Sequence, residues 1–112
     1  MTLTIQTVDE AKEIIKKNNI VLFMKGNKDM PGCGFSAHIV QILNNLNVQY
    51  IDIDVLNDVN FKEDMKKFTN WPTFPQLYVK GEFVGGCDII KEMYESGELL
   101  ELFNTKGINV KI

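Results

Sequence analysis

Pro31-Gly32-Cys33-Gly34-Phe35-Ser36 is the stretch around which this chain is organised. It sets one thiol between an apolar run, Ile20-Val21-Leu22-Phe23-Met24, and a series, Phe35, Ile39, Ile42, Leu43 and Leu46, that recurs at helical intervals. The run reads as a central strand covered on both faces. The series reads as the apolar face of a helix from about Gly34 to Asn45, so Cys33 stands at or just before the first turn. Free amides and the dipole at a helix start favour negative charge, which lowers a thiol pKa and points to a nucleophile or a metal ligand. The other reading is a cysteine packed as a small hydrophobe. Gly32 and Gly34 argue against it, because they leave the sulfur unshielded. One turn on, where a dithiol would carry its second cysteine, stands Ser36. A hydroxyl can hydrogen-bond a thiolate but cannot resolve a mixed disulfide.

Working outward, Thr7-Val8-Asp9-Glu10 has the capping-box pattern of a helix start, with Val8, Ala11, Ile14 and Ile15 as apolar face and Asn18-Asn19 as its end. Residues 25–32 form a polar loop rich in breakers. His38, the only histidine, is five residues from Cys33, which turns it away from the same helix face; it is expected as a surface histidine and not as a co-ligand. Gln49-Tyr50-Ile51-Asp52-Ile53 reads as a second strand, parallel to the first because a helix intervenes. Asn57 or Asp58 can cap a third helix with Phe61, Met65 and Phe68 as core face. Pro72 and Pro75 hold the segment around Phe74 extended, as a rigid turn or as a binding edge. Gln76-Leu77-Tyr78-Val79 and Phe83-Val84, joined through Lys80-Gly81-Glu82, read as a hairpin, which makes the sheet mixed. Gly85-Gly86-Cys87-Asp88 opens a further helix. Its free amides are a ready anion site, while Asp88 can equally serve as a cap. Ser96-Gly97 stops that helix, and Leu99, Leu100, Leu102 and Phe103 suggest a last short one.

The 112 residues suffice for one core, so a single domain over residues 1–112 is expected, with a tail loosely ordered from about residue 105. A net charge of −3 and no basic cluster with interleaved aromatics leave no footprint for nucleic acid. No apolar run approaches membrane-spanning length, and the start lacks the pattern of a signal peptide. Two cysteines are too few for a disulfide-stapled secreted domain. A cytoplasmic protein is the expectation, although a processed organelle protein would look the same.

Met24-Lys25-Gly26, Cys33-Gly34-Phe35-Ser36, Trp71-Pro72-Thr73-Phe74-Pro75 and Gly85-Gly86-Cys87-Asp88, in this order across nearly the whole chain, resemble the monothiol glutaredoxins of the CGFS class. The resemblance implies a thioredoxin-like (glutaredoxin) α/β fold, a central four-stranded mixed sheet flanked by helices on both faces. It implies a cis proline at Pro75 facing Cys33, with the backbone of Phe74 free to pair with a bound peptide. It also implies a groove for glutathione. Lys25 would meet a carboxylate, and Lys62, where the class commonly has arginine, would keep the charge without the two-pronged grip. The amides of Cys87 and Asp88 would take the γ-glutamyl carboxylate, with the Asp88 side chain facing the ammonium. Cys87 as a resolving thiol is the alternative role.

Two functions follow from the resemblance. In one, Cys33 and a glutathione thiol from each of two chains supply the four thiolates of a [2Fe-2S] cluster, giving a bridged homodimer that passes the cluster to apo iron-sulfur proteins, with BolA-like proteins as further partners. In the alternative, Cys33 is the nucleophile of a glutathione-dependent oxidoreductase that removes glutathione from protein thiols.

Overall fold

The computed structural model describes residues 5–110. Thr7 opens α1 (Val8–Lys17) by accepting from the Glu10 N–H at 3.2 Å, while the Glu10 carboxylate reaches back to the Gln6 N–H and the Thr7 hydroxyl. This is the reciprocal cap that the Thr7 to Glu10 spacing predicts. β1 (Ile20–Met24) follows and is buried at all five positions. Its alternation divides the core. Ile20, Leu22 and Met24 join a cluster with Ile39, Leu43, Ile90, Leu99 and Phe103, whereas Val21 and Phe23 join Ala11, Ile15, Ile53, Phe61, Met65 and Tyr78.

The remaining elements are α2 (Gly34–Asn45), β2 (Ile51–Asp54), α3 (Val59–Thr69), β3 (Gln76–Val79), β4 (Glu82–Gly85), α4 (Cys87–Ser96) and α5 (Glu98–Thr105). The sheet order is β2-β1-β3-β4. β1 runs parallel to β2 and antiparallel to β3, and β3 and β4 form a hairpin. Helices α2, α4 and α5 supply the cluster on one face, α1 and α3 that on the other. This is the mixed four-stranded sheet with helices on both faces that the sequence predicts. The hairpin turns on Lys80 (φ 51°) and Gly81 (φ 83°), the left-handed pair that two-residue connections favour.

Several expectations are corrected. β2 begins at Ile51, not Gln49: it pairs Val21 with Ile51, so in that register Gln49 lies level with Asn19, before the first residue of β1. Phe35, in the first turn of α2, is 64% exposed; it is a cavity wall and not a core residue. Phe68, in the last turn of α3, is 41% exposed and carries the Lys12 ammonium 5.2 Å above its ring. The tail is held as far as residue 110: Ile108 is buried in the α2, α4 and α5 cluster, Val110 packs against it, and Lys106 meets Glu82 at 3.3 Å. Residues 111–112 lie outside the described part. Of the two candidate caps of α3 it is Asp58 that serves, as expected, accepting from the N–H groups of Asn60 and Phe61. Among the described residues no helix is long and apolar enough to cross a membrane.

Candidate functional site

Cys33 is the N-cap of α2: its Sγ accepts from the Ser36 N–H at 3.4 Å and lies 3.4 Å from Ser36 Oγ. Ser36 is fully buried, and its Oγ also accepts from the Lys25 N–H at 3.1 Å. With that lone pair engaged from the strand side, its proton is available to a thiolate on Cys33. Burial pulls the Cys33 thiol upward, but the Ser36 hydroxyl, the N–H groups of Ser36 and Phe35, and the Lys25 ammonium together outweigh it. Cys33 therefore lies below the ordinary thiol range.

A cavity of about 530 Å³ is walled by Lys25, Phe35, Trp71, Phe74, Cys87 and Asp88; of these Phe35, Cys87 and Asp88 also wall the adjoining cavity that Cys33 lines. The Phe74–Pro75 bond is cis, and both residues are buried. Gln76, fully buried, donates through Nε2 to the Trp71 and Thr73 carbonyls at 3.2 and 3.1 Å, which shapes that wall. Gly86 caps α4 with no side chain of its own, and a Cβ there would meet Trp71 Nε1 at 2.9 Å. The start of α4, whose first amides have no partner within the helix, therefore stands close against the indole. A second cavity of about 380 Å³ is lined by Cys33, Phe35, His38, Cys87, Asp88 and Lys91.

The fold brings Cys33, Lys25, Phe74, Cys87 and Asp88 to one place. Lys62 lies outside both cavity linings, half-buried on α3. Cys87 donates to the Phe35 carbonyl at 3.7 Å. Burial raises the Cys87 thiol, the Asp88 carboxylate and the Cys33 sulfur add to this, and Lys91 opposes it. The two cysteines share a cavity wall yet are tuned in opposite directions. Among the described residues no group of three or more histidine, cysteine, aspartate or glutamate side chains could hold a metal ion.

The family model described as Glutaredoxin matches residues 20–84, the span from β1 through the hairpin. The chain is 65% identical over 97 residues to a probable monothiol glutaredoxin 2 of Rickettsia typhi, covering 87% of each. The chain belongs to the monothiol glutaredoxins. It is also 50% identical over 99 residues to the chloroplastic monothiol glutaredoxin-S14 of Arabidopsis thaliana, spanning 88% of this chain and 57% of that protein. The solution structure of a monomeric truncated mutant of Trypanosoma brucei 1-C-Grx1 superposes with a TM-score of 0.87 at 35% identity, covering 96% of this chain and 98% of the other. That of reduced poplar apo GrxS14 gives 0.78 at 44% identity, covering 88% and 91%.

This glutaredoxin has site residues that the motifs did not mark. His38, expected as a surface histidine, is half-buried and lines the second cavity with both cysteines. Ile89, in the first turn of α4, is 37% exposed and lines the first cavity. Gln76 follows Pro75 directly, and a polar residue inside a buried strand was the available signal for a structural hydrogen bond. The same signal stood in the Ile-Asp-Ile-Asp alternation of β2.

Proposed function

We propose that this monothiol glutaredoxin carries a [2Fe-2S] cluster between proteins, with Cys33 and a glutathione thiol as the ligands that each of two chains brings to a bridged homodimer. The observation that carries the reading is a half-buried, acidified Cys33 whose helix turn holds Ser36 in place of a second thiol. A [2Fe-2S] cluster takes four thiolates. One accessible low-pKa thiol per chain, with no metal-ligating group of three among the described residues, fits a cargo whose ligands come from several molecules.

The cavity beside Cys33 fits a tripeptide with carboxylates at both ends. Lys25 offers an ammonium at one end, and the Cys87 and Asp88 amides offer donors at the other, where the Asp88 carboxylate can meet an α-ammonium. Phe74 gives backbone groups for antiparallel pairing between them. Lys62, outside both linings, takes the weaker role of a point charge. A half-exposed ligand set that includes a dissociable thiol suits handing a cluster to apo iron-sulfur proteins, directly or with a BolA-like partner.

The second reading, a glutathione-dependent oxidoreductase acting through Cys33, draws on the same acidified thiol. Anaerobic reconstitution with iron, sulfide and glutathione separates the two. The carrier gives visible charge-transfer absorption together with dimerisation, both lost in Cys33→Ser and on leaving out glutathione. Rapid turnover of a glutathionylated peptide with no cluster formed decides for the enzyme.

A further inference from the structure

The pleat of β2 puts Ile51 and Ile53 toward the α1 and α3 cluster, and Asp52 and Asp54 on the opposite side. Two carboxylates at a face where β1 presents Leu22 and Met24 opposite them in register require partners, and the partners are backbone amides of the loop 25–32. Asp52, fully buried, accepts from the Lys28 N–H at 2.8 Å. Asp54 Oδ1 accepts from the Gly26 N–H at 3.0 Å and from the Leu56 N–H at 2.8 Å, tying the loop to the end of its own strand.

These bonds converge on one residue. The N–H of Lys25 is held by Ser36 Oγ at 3.1 Å, its carbonyl accepts from the Gly32 N–H at 2.7 Å, and the next N–H, that of Gly26, is held by Asp54. Both peptide groups flanking the Lys25 Cα are thereby fixed, one from α2 and one from β2. A lysine stem is long and loses rotamer freedom when its ammonium is put to use. Fixing the direction in which the stem leaves the backbone removes part of that cost before any ligand arrives.

We propose that Asp54 is a positioning residue for Lys25: its carboxylate holds the Gly26 amide so that the lysine ammonium is directed into the cavity beside Cys33. This rests on the reading of that cavity as the glutathione groove. The role is geometric, so an uncharged acceptor at the same place serves it, whereas removal of the acceptor does not. It also acts through Lys25 alone, so it disappears once the ammonium is gone.

The test is the equilibrium between the glutaredoxin and oxidised glutathione. The Cys33 thiolate attacks one sulfur, a Cys33–glutathionyl disulfide forms, the original disulfide breaks, and one reduced glutathione leaves. The products are counted by intact-protein and peptide mass spectrometry in the wild type, Lys25→Met, Asp54→Ala, Asp54→Asn and the double variant Lys25→Met/Asp54→Ala. Loss of one charge-assisted contact predicts that Lys25→Met lowers the equilibrium constant by about tenfold. Asp54→Ala lowers it by a smaller factor, Asp54→Asn restores the wild-type value, and the double variant matches Lys25→Met. If Lys25→Met weakens glutathione capture while folded Asp54→Ala equals the wild type, the positioning role is overturned and the groove stands. If Asp54→Ala remains additive on Lys25→Met, or Asp54→Asn is as weak as Asp54→Ala, the role is likewise overturned. If Lys25→Met has no effect, the groove loses Lys25 and the positioning role falls with it. One readout does not depend on the alanine variant folding: in the wild type and in Asp54→Asn the Gly26 amide proton exchanges slowly with solvent, and unprotected exchange there overturns the proposal by itself.

Discussion

The backbone N–H of Lys25 donates to the Oγ of Ser36 at 3.1 Å, joining the end of β1 to the first turn of α2 across a loop. The serine that replaces a resolving thiol is thus a buried bridge, with its remaining hydrogen-bonding capacity 3.4 Å from the Cys33 sulfur.

Ser36→Ala removes both halves of the bridge. The Lys25 N–H is left buried without its acceptor, which costs about 1–3 kcal/mol in chemical denaturation. The Cys33 thiolate loses a donor, so its pKa rises, and the iodoacetamide rate at neutral pH falls by about fivefold or more. An unchanged pH–rate profile in this variant contradicts the hydrogen-bond assignment.

The opposite tuning of the two thiols sets an order of reaction. At neutral pH one equivalent of iodoacetamide labels Cys33 ahead of Cys87, because only the first is acidified and the second is raised by burial and Asp88. Peptide mapping at short times reads this directly, and preferential labelling of Cys87 would refute it.

The lowered Cys33 pKa also gives stability a pH dependence. Between the folded pKa and the higher unfolded one, the folded chain holds fewer protons than the unfolded chain, so stability rises with pH. The contribution is complete above the unfolded thiol pKa and is lost as pH falls through the folded one. The difference in melting temperature between the wild type and Cys33→Ser should follow that course over the thiol range.

Gly26→Ala should be among the most destabilising single changes. Gly26 has φ +83°, and a Cβ there would lie 2.5 Å from both the Gly32 nitrogen and the Met30 carbonyl oxygen, which are backbone atoms. Left-handed strain and overpacking together cost about 2–4 kcal/mol. Denaturation measured beside Gly81→Ala, where φ is also +83° but nothing lies within 4 Å, isolates the packing part.

Ile108→Ala tests whether the tail belongs to the core. Ile108 is buried and its N–H donates to the Phe103 carbonyl at 2.8 Å. Truncation should cost about 2–3 kcal/mol, and a change within experimental error would return the tail to the loosely held class.

What the sequence determined by itself was local. The Thr7 to Glu10 spacing, the unbroken apolar run of β1, the intervals of α2 and the Lys80-Gly81 turn each carry their structure within a few residues, where steric limits and period act. Cys33 as a helix cap was legible for the same reason. Tertiary structure decided what depends on register between distant segments. Whether Phe35 faces the core or the cavity follows from how the start of α2 meets the start of α4, since Phe35 lines both cavities with Cys87 and Asp88. Cys87 comes to share a wall with Cys33 and His38 only because α4 packs on α2. Asp52 and Asp54, two acids in an otherwise apolar strand, find their partners in a loop from which the whole of α2 separates them in sequence, because the parallel pairing of β2 with β1 sets that loop against them. A buried carboxylate announces in sequence that it needs donors; only the assembled sheet says whose amides they are.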